Sequence, residues 1–261
     1  MEIELAVRHR RVVTVLFWVV AAFAAINLGL HAWHAFGLYG YTPVTFLLPV
    51  FDLDAERNLP TLVEVGLLLC SAQLLLLLAL RSQEAGDGTA SGWWVLAAGF
   101  LLLAVDEAWS FHERLVEPMN GLLGSSLPRV LAYSWVVPGM AGVAAVAVVL
   151  ARFLWRLPRR LALRLVGAGA VFIGGCIGME MVGIAYLSRP RPSMMVYAVI
   201  ATMEESLEMS GVVLLIRALL AELAGGGAIL RVSLALRGDD GTAGAGHAEG
   251  SPTWAPRPPA A

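Results

Sequence analysis

Lysine is absent from this 261-residue sequence, and all 18 basic residues are arginines. That excludes Schiff-base chemistry and every mechanism built on a catalytic lysine. Cysteine is scarce. Cys70 and Cys176 are the only two, and each lies inside an apolar run, which argues against a disulfide framework and against a cysteine-based zinc site. Both fit the role of small buried hydrophobes. Charged residues make up only 15% of the chain, and the formal net charge of -2 carries no information about partners. No nucleotide-binding glycine loop, Ser-His-Asp arrangement or nucleic-acid-binding motif is present, so nucleic acid is not an expected partner.

What the chain has in quantity is apolar residues, 58% of the total, gathered in long blocks. Blocks of 18 or more read as transmembrane helices. The expectation is an all-α, polytopic transmembrane bundle with six spans at about 12–38, 60–80, 92–117, 130–155, 165–187 and 194–224. A basic N-terminus, 1–11, precedes them. A Gly-, Ala- and Pro-rich tail, 225–261, follows and is expected to be disordered from about 238. The segment AAFAA resembles a signal-peptide processing site, but the apolar run continues through Ile26 to Trp33, which favours a retained first span. Asn58-Leu-Pro-Thr opens the second span, with Pro60 in its first turn and a capping box expected from Thr61 and Glu64. Trp93 and Trp94 stand where an interfacial aromatic belt begins the third. Pro138-Gly139 is expected to kink the fourth. In the fifth, Gly174 and Gly178 have the small-xxx-small spacing of a helix–helix contact, with a partner helix expected there.

Two spans depart from the apolar pattern. GWWVLAAGFLLLAVDEAWSFHER carries Asp106, Glu107, His112 and Glu113, and the last span carries Glu204, Glu205 and Glu208. Ionisable groups at the centre of a membrane helix cost roughly 2.5–3.5 kcal/mol each, so they mark function by default. Glu180 in the fifth span joins them. His31 and His34, one turn apart at the end of the first span, and Glu64 are secondary candidates, although Glu64 reads first as a cap.

Orientation follows from the arginines. Arg8, Arg10 and Arg11 precede the first span, Arg152, Arg156, Arg159, Arg160 and Arg164 fill the fourth-to-fifth loop, and Arg217, Arg231 and Arg237 lie at or beyond the end of the sixth. The positive-inside rule then places both termini in the cytoplasm. At a 1.5 Å rise per residue, Asp106 lies roughly 18 Å inward of Pro118 and Glu204 roughly 16 Å from the start of its helix. All the intramembrane acids thus reach the outer half of the bilayer. Asp106 and Glu113, seven apart, fall nearly on one helix face, as do Glu204 and Glu208, four apart.

So many carboxylates cannot remain ionised and unpaired in a low dielectric. The expected reading is a metal centre, with one or two divalent ions (Fe, Mn, Zn, Mg or Ca), drawn from Asp106, Glu107, His112, Glu113, Glu180, Glu204, Glu205 and Glu208 and acting on a lipid or lipid-soluble substrate. Carboxylates with histidine projecting from several helices are the ligand set of di-metal bundles, though the paired Glu-x-x-His motif of that class is missing. The alternatives are a proton or cation pathway in a transporter subunit and a structural polar network without catalysis. No internal repeat of the kind common in secondary transporters is visible. The sequence assigns no reaction.

Taken together, NLPT after FDLDAE, then DEAWSFHE, GMEMVG and MEESLEMSGVVLLIRAL resemble a group of uncharacterised bacterial multi-pass membrane proteins over residues 50–220. The resemblance implies a bundle of about six spans in a bacterial inner membrane, and it implies no activity.

Overall fold

The computed structural model describes residues 2–35, 43–123, 131, 135–225 and 230–235. The expected disordered tail from 238 lies outside the described residues. The described chain is an all-α bundle with one short strand pair. Its helices are α1 (His9–Ala35), α2 (Pro43–Phe51), α3 (Leu59–Ala85), α4 (Ala90–Trp109), α5 (Phe111–Leu123), α6 (Val136–Arg156), α7 (Arg159–Ile173), a π-helical segment (Gly174–Met179), α8 (Glu180–Leu187) and α9 (Met194–Leu223). Strands β1 (Glu2–Val7) and β2 (Leu230–Ala235) pair antiparallel, Glu2 opposite Ala235 and Val7 opposite Leu230.

Five stretches are long and apolar enough to cross a membrane: α1, α3, α4, α6, and the continuous run of 29 residues from Arg159 to Leu187. α9, with 30 residues, is as long and forms the hub, packing on α1, α3, α7 and the π segment. Its three closely spaced glutamates, Glu204, Glu205 and Glu208, set it apart from the other five, each of which keeps an 18-residue apolar window with no more than two charged residues.

Two sets of contacts define the ends of the bundle. At the terminus-bearing end the β1–β2 ladder joins the start of α1 to the end of α9. Arg81 Nη1 donates to the Glu222 carbonyl at 3.3 Å, and Arg156 Nη1 donates to the Gly88 carbonyl at 2.9 Å. At the opposite end His31 Nε2 lies 3.3 Å from Asp52 Oδ1, and the Tyr197 hydroxyl donates to Asp54 Oδ1 at 2.9 Å. The long helices therefore alternate in direction.

Local chemistry explains the boundaries. Asn58 caps α3, its Oδ1 accepting from Thr61 N at 3.2 Å, with Pro60 in the first turn and Gly86 closing the helix at φ 65°. This replaces the Thr61–Glu64 capping box expected from the sequence: once Asn58 supplies the cap, Glu64 turns inward. Pro138 sits in the first turn of α6, which runs from Val136. It starts the helix, because its missing N–H falls among groups that need no partner there, so among the described residues Pro138-Gly139 opens α6 in place of the expected kink.

The third span also differs from one helix over 92–117. It breaks at Ser110, which takes the left-handed conformation at φ 52° between α4 and α5. Asp106 closes the break: its Oδ1 accepts from His112 N at 3.0 Å and its Oδ2 from His112 Nδ1 at 2.9 Å. The one-face argument for Asp106 and Glu113 therefore does not hold, since the two lie on different helices.

The half of the bundle towards the terminus-bearing end is apolar. Leu75, Leu78, Leu150, Phe153, Leu161 and Leu219 belong to one buried cluster there. A second cluster, including Val20, Phe23, Leu68, Met209 and Val213, packs α1 against α3 and α9. Asn27 is buried within this region and bridges two elements, Nδ2 donating to Thr202 Oγ1 at 2.9 Å and Oδ1 accepting from Leu53 N at 3.4 Å. That bridge ties the loop before α3 to α9.

Candidate functional site

Opposite the terminus-bearing end, the bundle encloses a cavity of about 240 Å³. Its walls come from the 52–58 loop, α3, α4, α5, the π segment, α8 and α9. Asp106, Glu107, His112, Glu113, Glu180, Glu204, Glu205 and Glu208, the primary candidates, all line it. Glu64 lines it too, 2% exposed. His31 and His34 do not: His31 is turned to Asp52 at the rim. The cavity also contains residues that sequence reasoning set aside. Asp54 and Glu56 come from the FDLDAE loop, and Cys176, Trp135 and Tyr197 join them; none stands among the sequence candidates. The signal for Asp54 and Glu56 was present in FDLDAE, immediately before a helix cap, but only the fold shows that this loop covers the cavity.

The backbone explains how the π segment and the end of α7 meet α9 there. A Cβ on Gly175 would lie 2.7 Å from Glu208 Cγ and 2.9 Å from the Glu204 carbonyl oxygen. Only glycine allows the π segment to lie against the Glu204–Glu208 turn. Gly211 plays the same part on α9, where a Cβ would lie 2.6 Å from Phe172 N. The close approach thus runs through Gly175 and Gly211. Gly174 and Gly178, the pair expected to mediate it, face open space within the chain. The π segment adds a wide turn, a feature that recurs at functional sites, and Glu180 follows directly after it.

Within the cavity the acids fall into two neighbourhoods. Glu180, Glu204 and Asp54 make up the first. Glu64 and Glu205 make up the second, flanked by Glu107 and, deeper, by Glu208. Neighbouring carboxylates repel one another when both are ionised. His112 is committed through Nδ1 to Asp106, and its ring lies 5.1 Å from that of Trp135. Trp135 Nε1 in turn donates to Glu180 Oε1 at 3.4 Å. Neither arginine nor lysine appears among the residues lining the cavity.

At the mouth, burial together with Asp52 and Glu180 raises the Asp54 carboxyl to about 6, and the Tyr197 hydroxyl holds it back from going further. Burial also raises Glu56, against the neighbouring His112. Glu56 Oε2 is buried with no hydrogen-bond partner among the described residues. Among the described residues, no three His, Cys, Asp or Glu side chains form a ready-made metal cage.

These features define a class: a polytopic helical membrane protein with an acid-lined cavity at one end. The chain belongs to the family described as a domain of unknown function (DUF8692), whose model matches residues 11–223. No curated protein matches the chain, and no solved structure does.

Proposed function

We propose that the cavity binds a hydrated divalent cation and that the bound ion acts on a lipid or lipid-soluble substrate. The observation carrying this reading is that nine acidic or histidine side chains expected from separate parts of the sequence line one small cavity with no basic residue among them. Buried carboxylates need protons, cationic partners or a metal. The unpartnered Glu56 oxygen is one place where a cation or its water would supply the missing interaction.

The donor set favours a hard ion. Oxygen ligands suit magnesium, calcium or manganese, whereas the nitrogen ligands that zinc and iron sites commonly use are reduced to the second ring nitrogen of His112, its first being bonded to Asp106. Magnesium in particular keeps several waters and is held by one or two carboxylates together with substrate oxygens. That accords with a cavity that has no closed cage. Such an ion would polarise a phosphoryl or carbonyl oxygen or activate a bound water. We place the mouth on the outer face of a bacterial inner membrane, with both termini cytoplasmic and α9 as the sixth span. Support comes from the arginine-rich terminus-bearing end.

Manganese binding followed by electron paramagnetic resonance tests the proposal. Purified wild type is expected to bind Mn²⁺ saturably, displaced by Mg²⁺ or Ca²⁺, and E204Q/E205Q to weaken it about tenfold, the loss of roughly 1.4 kcal/mol. Absence of saturable binding overturns the reading.

The close grouping of these acids in one cavity favours a second reading, a proton store. A path across the bilayer would need polar groups beyond Glu208, and the described residues there form the apolar cluster around Leu75, Leu78 and Leu219. A store that loads and empties through one mouth meets that constraint. Cation-independent proton uptake in wild type, lost in E64Q/E205Q, would select it.

A further inference from the structure

A second concavity, about 610 Å³, lies on the side of the bundle between α8 and the first turns of α9. It occupies the faces of α8 and α9 turned away from the acid cavity. Gly183 and Tyr197, which line the acid cavity, meet between the two, with a Cβ on Gly183 placed 3.6 Å from the Tyr197 ring. The groove is apolar along Gly178, Val182, Ala185, Val196 and Ile200, and one charged residue, Arg189, stands at its rim. From Gly178 to Arg189 the groove spans roughly 16 Å of helix rise, from mid-span to the helix end.

We infer that this groove holds one chain of an anionic phospholipid, with Arg189 on the headgroup phosphate. Arg189 stacks on Tyr186, its Cζ 5.5 Å from the ring centroid. The ion pairs found among the described residues are His31–Asp52 and His112–Asp106; neither involves Arg189. A guanidinium at a membrane boundary without a carboxylate partner is matched in charge and geometry by a phosphate, which it can grip with two donors. The apolar walls match an acyl chain, and Tyr186 is the kind of amphipathic ring enriched at headgroup level. Arg114 supplies an internal comparison: it too lies at this end of the bundle, 5.4 Å from the Phe111 ring, but it does not line the groove. The inference requires only that the bundle sits in a membrane and is independent of what the acid cavity binds.

Native mass spectrometry of the full chain, released from detergent with equal amounts of phosphatidylglycerol and phosphatidylcholine, tests it. Wild type is expected to retain one phosphatidylglycerol at least about fivefold more often than phosphatidylcholine. R189Q is expected to lose that preference and R114Q to keep it. G178L fills the groove where an added Cβ meets nothing within 4 Å, so it is expected to fold and to lose the retained lipid of either kind. Equal retention of the two lipids by wild type overturns the proposal. So does equal loss in R189Q and R114Q, or a dimer mass that replaces the lipid adduct and vanishes in G178L, which would make the groove a contact between copies of this chain. A thermal transition within a few degrees of wild type, measured for each variant, separates lipid loss from unfolding.

Discussion

Asp106 shows how one side chain can serve two structural ends. It accepts from the backbone N–H of His112 and fixes the imidazole of the same residue, so it both starts α5 and orients a cavity-lining ring. D106A is expected to destabilise the protein by about 1 kcal/mol, the worth of a lost cap, in a detergent unfolding assay. D106N keeps a capping oxygen and should lose less. Asp54, raised to about 6 by burial, makes a pH prediction. A carboxyl whose folded-state value lies above its unfolded value contributes stability at low pH that is lost as pH rises from about 4 through 6. Thermal stability without added cation is therefore expected to fall across that window, with a shallower slope in D54N. Cation affinity should move the other way, rising as Asp54 ionises, and D54N should flatten that rise in a Mn²⁺ titration. Individual acids were readable from the sequence because each interrupts an apolar run. Asp54 and Glu56 were not, because an acid in a loop interrupts nothing and only the Asp54–Tyr197 bond shows it facing inward.

At the scale of elements, the long apolar helices were legible because span length and hydrophobic thickness are linked. Their irregularities were less so. Ser110 in a left-handed conformation and the π turn at Gly174–Met179 depend on tertiary contacts, and neither breaks the apolar pattern that identifies a span. Nor did glycine spacing reveal which glycines bring helices together, since Gly174 and Gly175 differ by one position and about 100° of rotation. The difference is testable. G175A is expected to cost roughly 1–3 kcal/mol, as overpacking does, because the new methyl meets α9 backbone at 2.9 Å. G174A should change stability little, since nothing lies within 4 Å of the added atom. Chemical unfolding in a single detergent compares the two.

For the molecule as a whole, the β1–β2 ladder brings the two ends of the described chain to one end of the bundle, and the arginines crowd that end too. Fluorescent and alkaline phosphatase fusions after Ala235 are expected to report a cytoplasmic position, and a cysteine at Ser193 in a C70S/C176S background to react with impermeant maleimide from outside. Reaction from the inner face alone would invert the orientation. The apolar cluster around Leu75 and Leu219 lies on the terminus-bearing side of the cavity, so an ion held as proposed would enter from the opposite end. A compartment built that way equilibrates with one bath. Under the proposed reading its ionic contents would follow the solution at the mouth and be indifferent to composition across the bilayer.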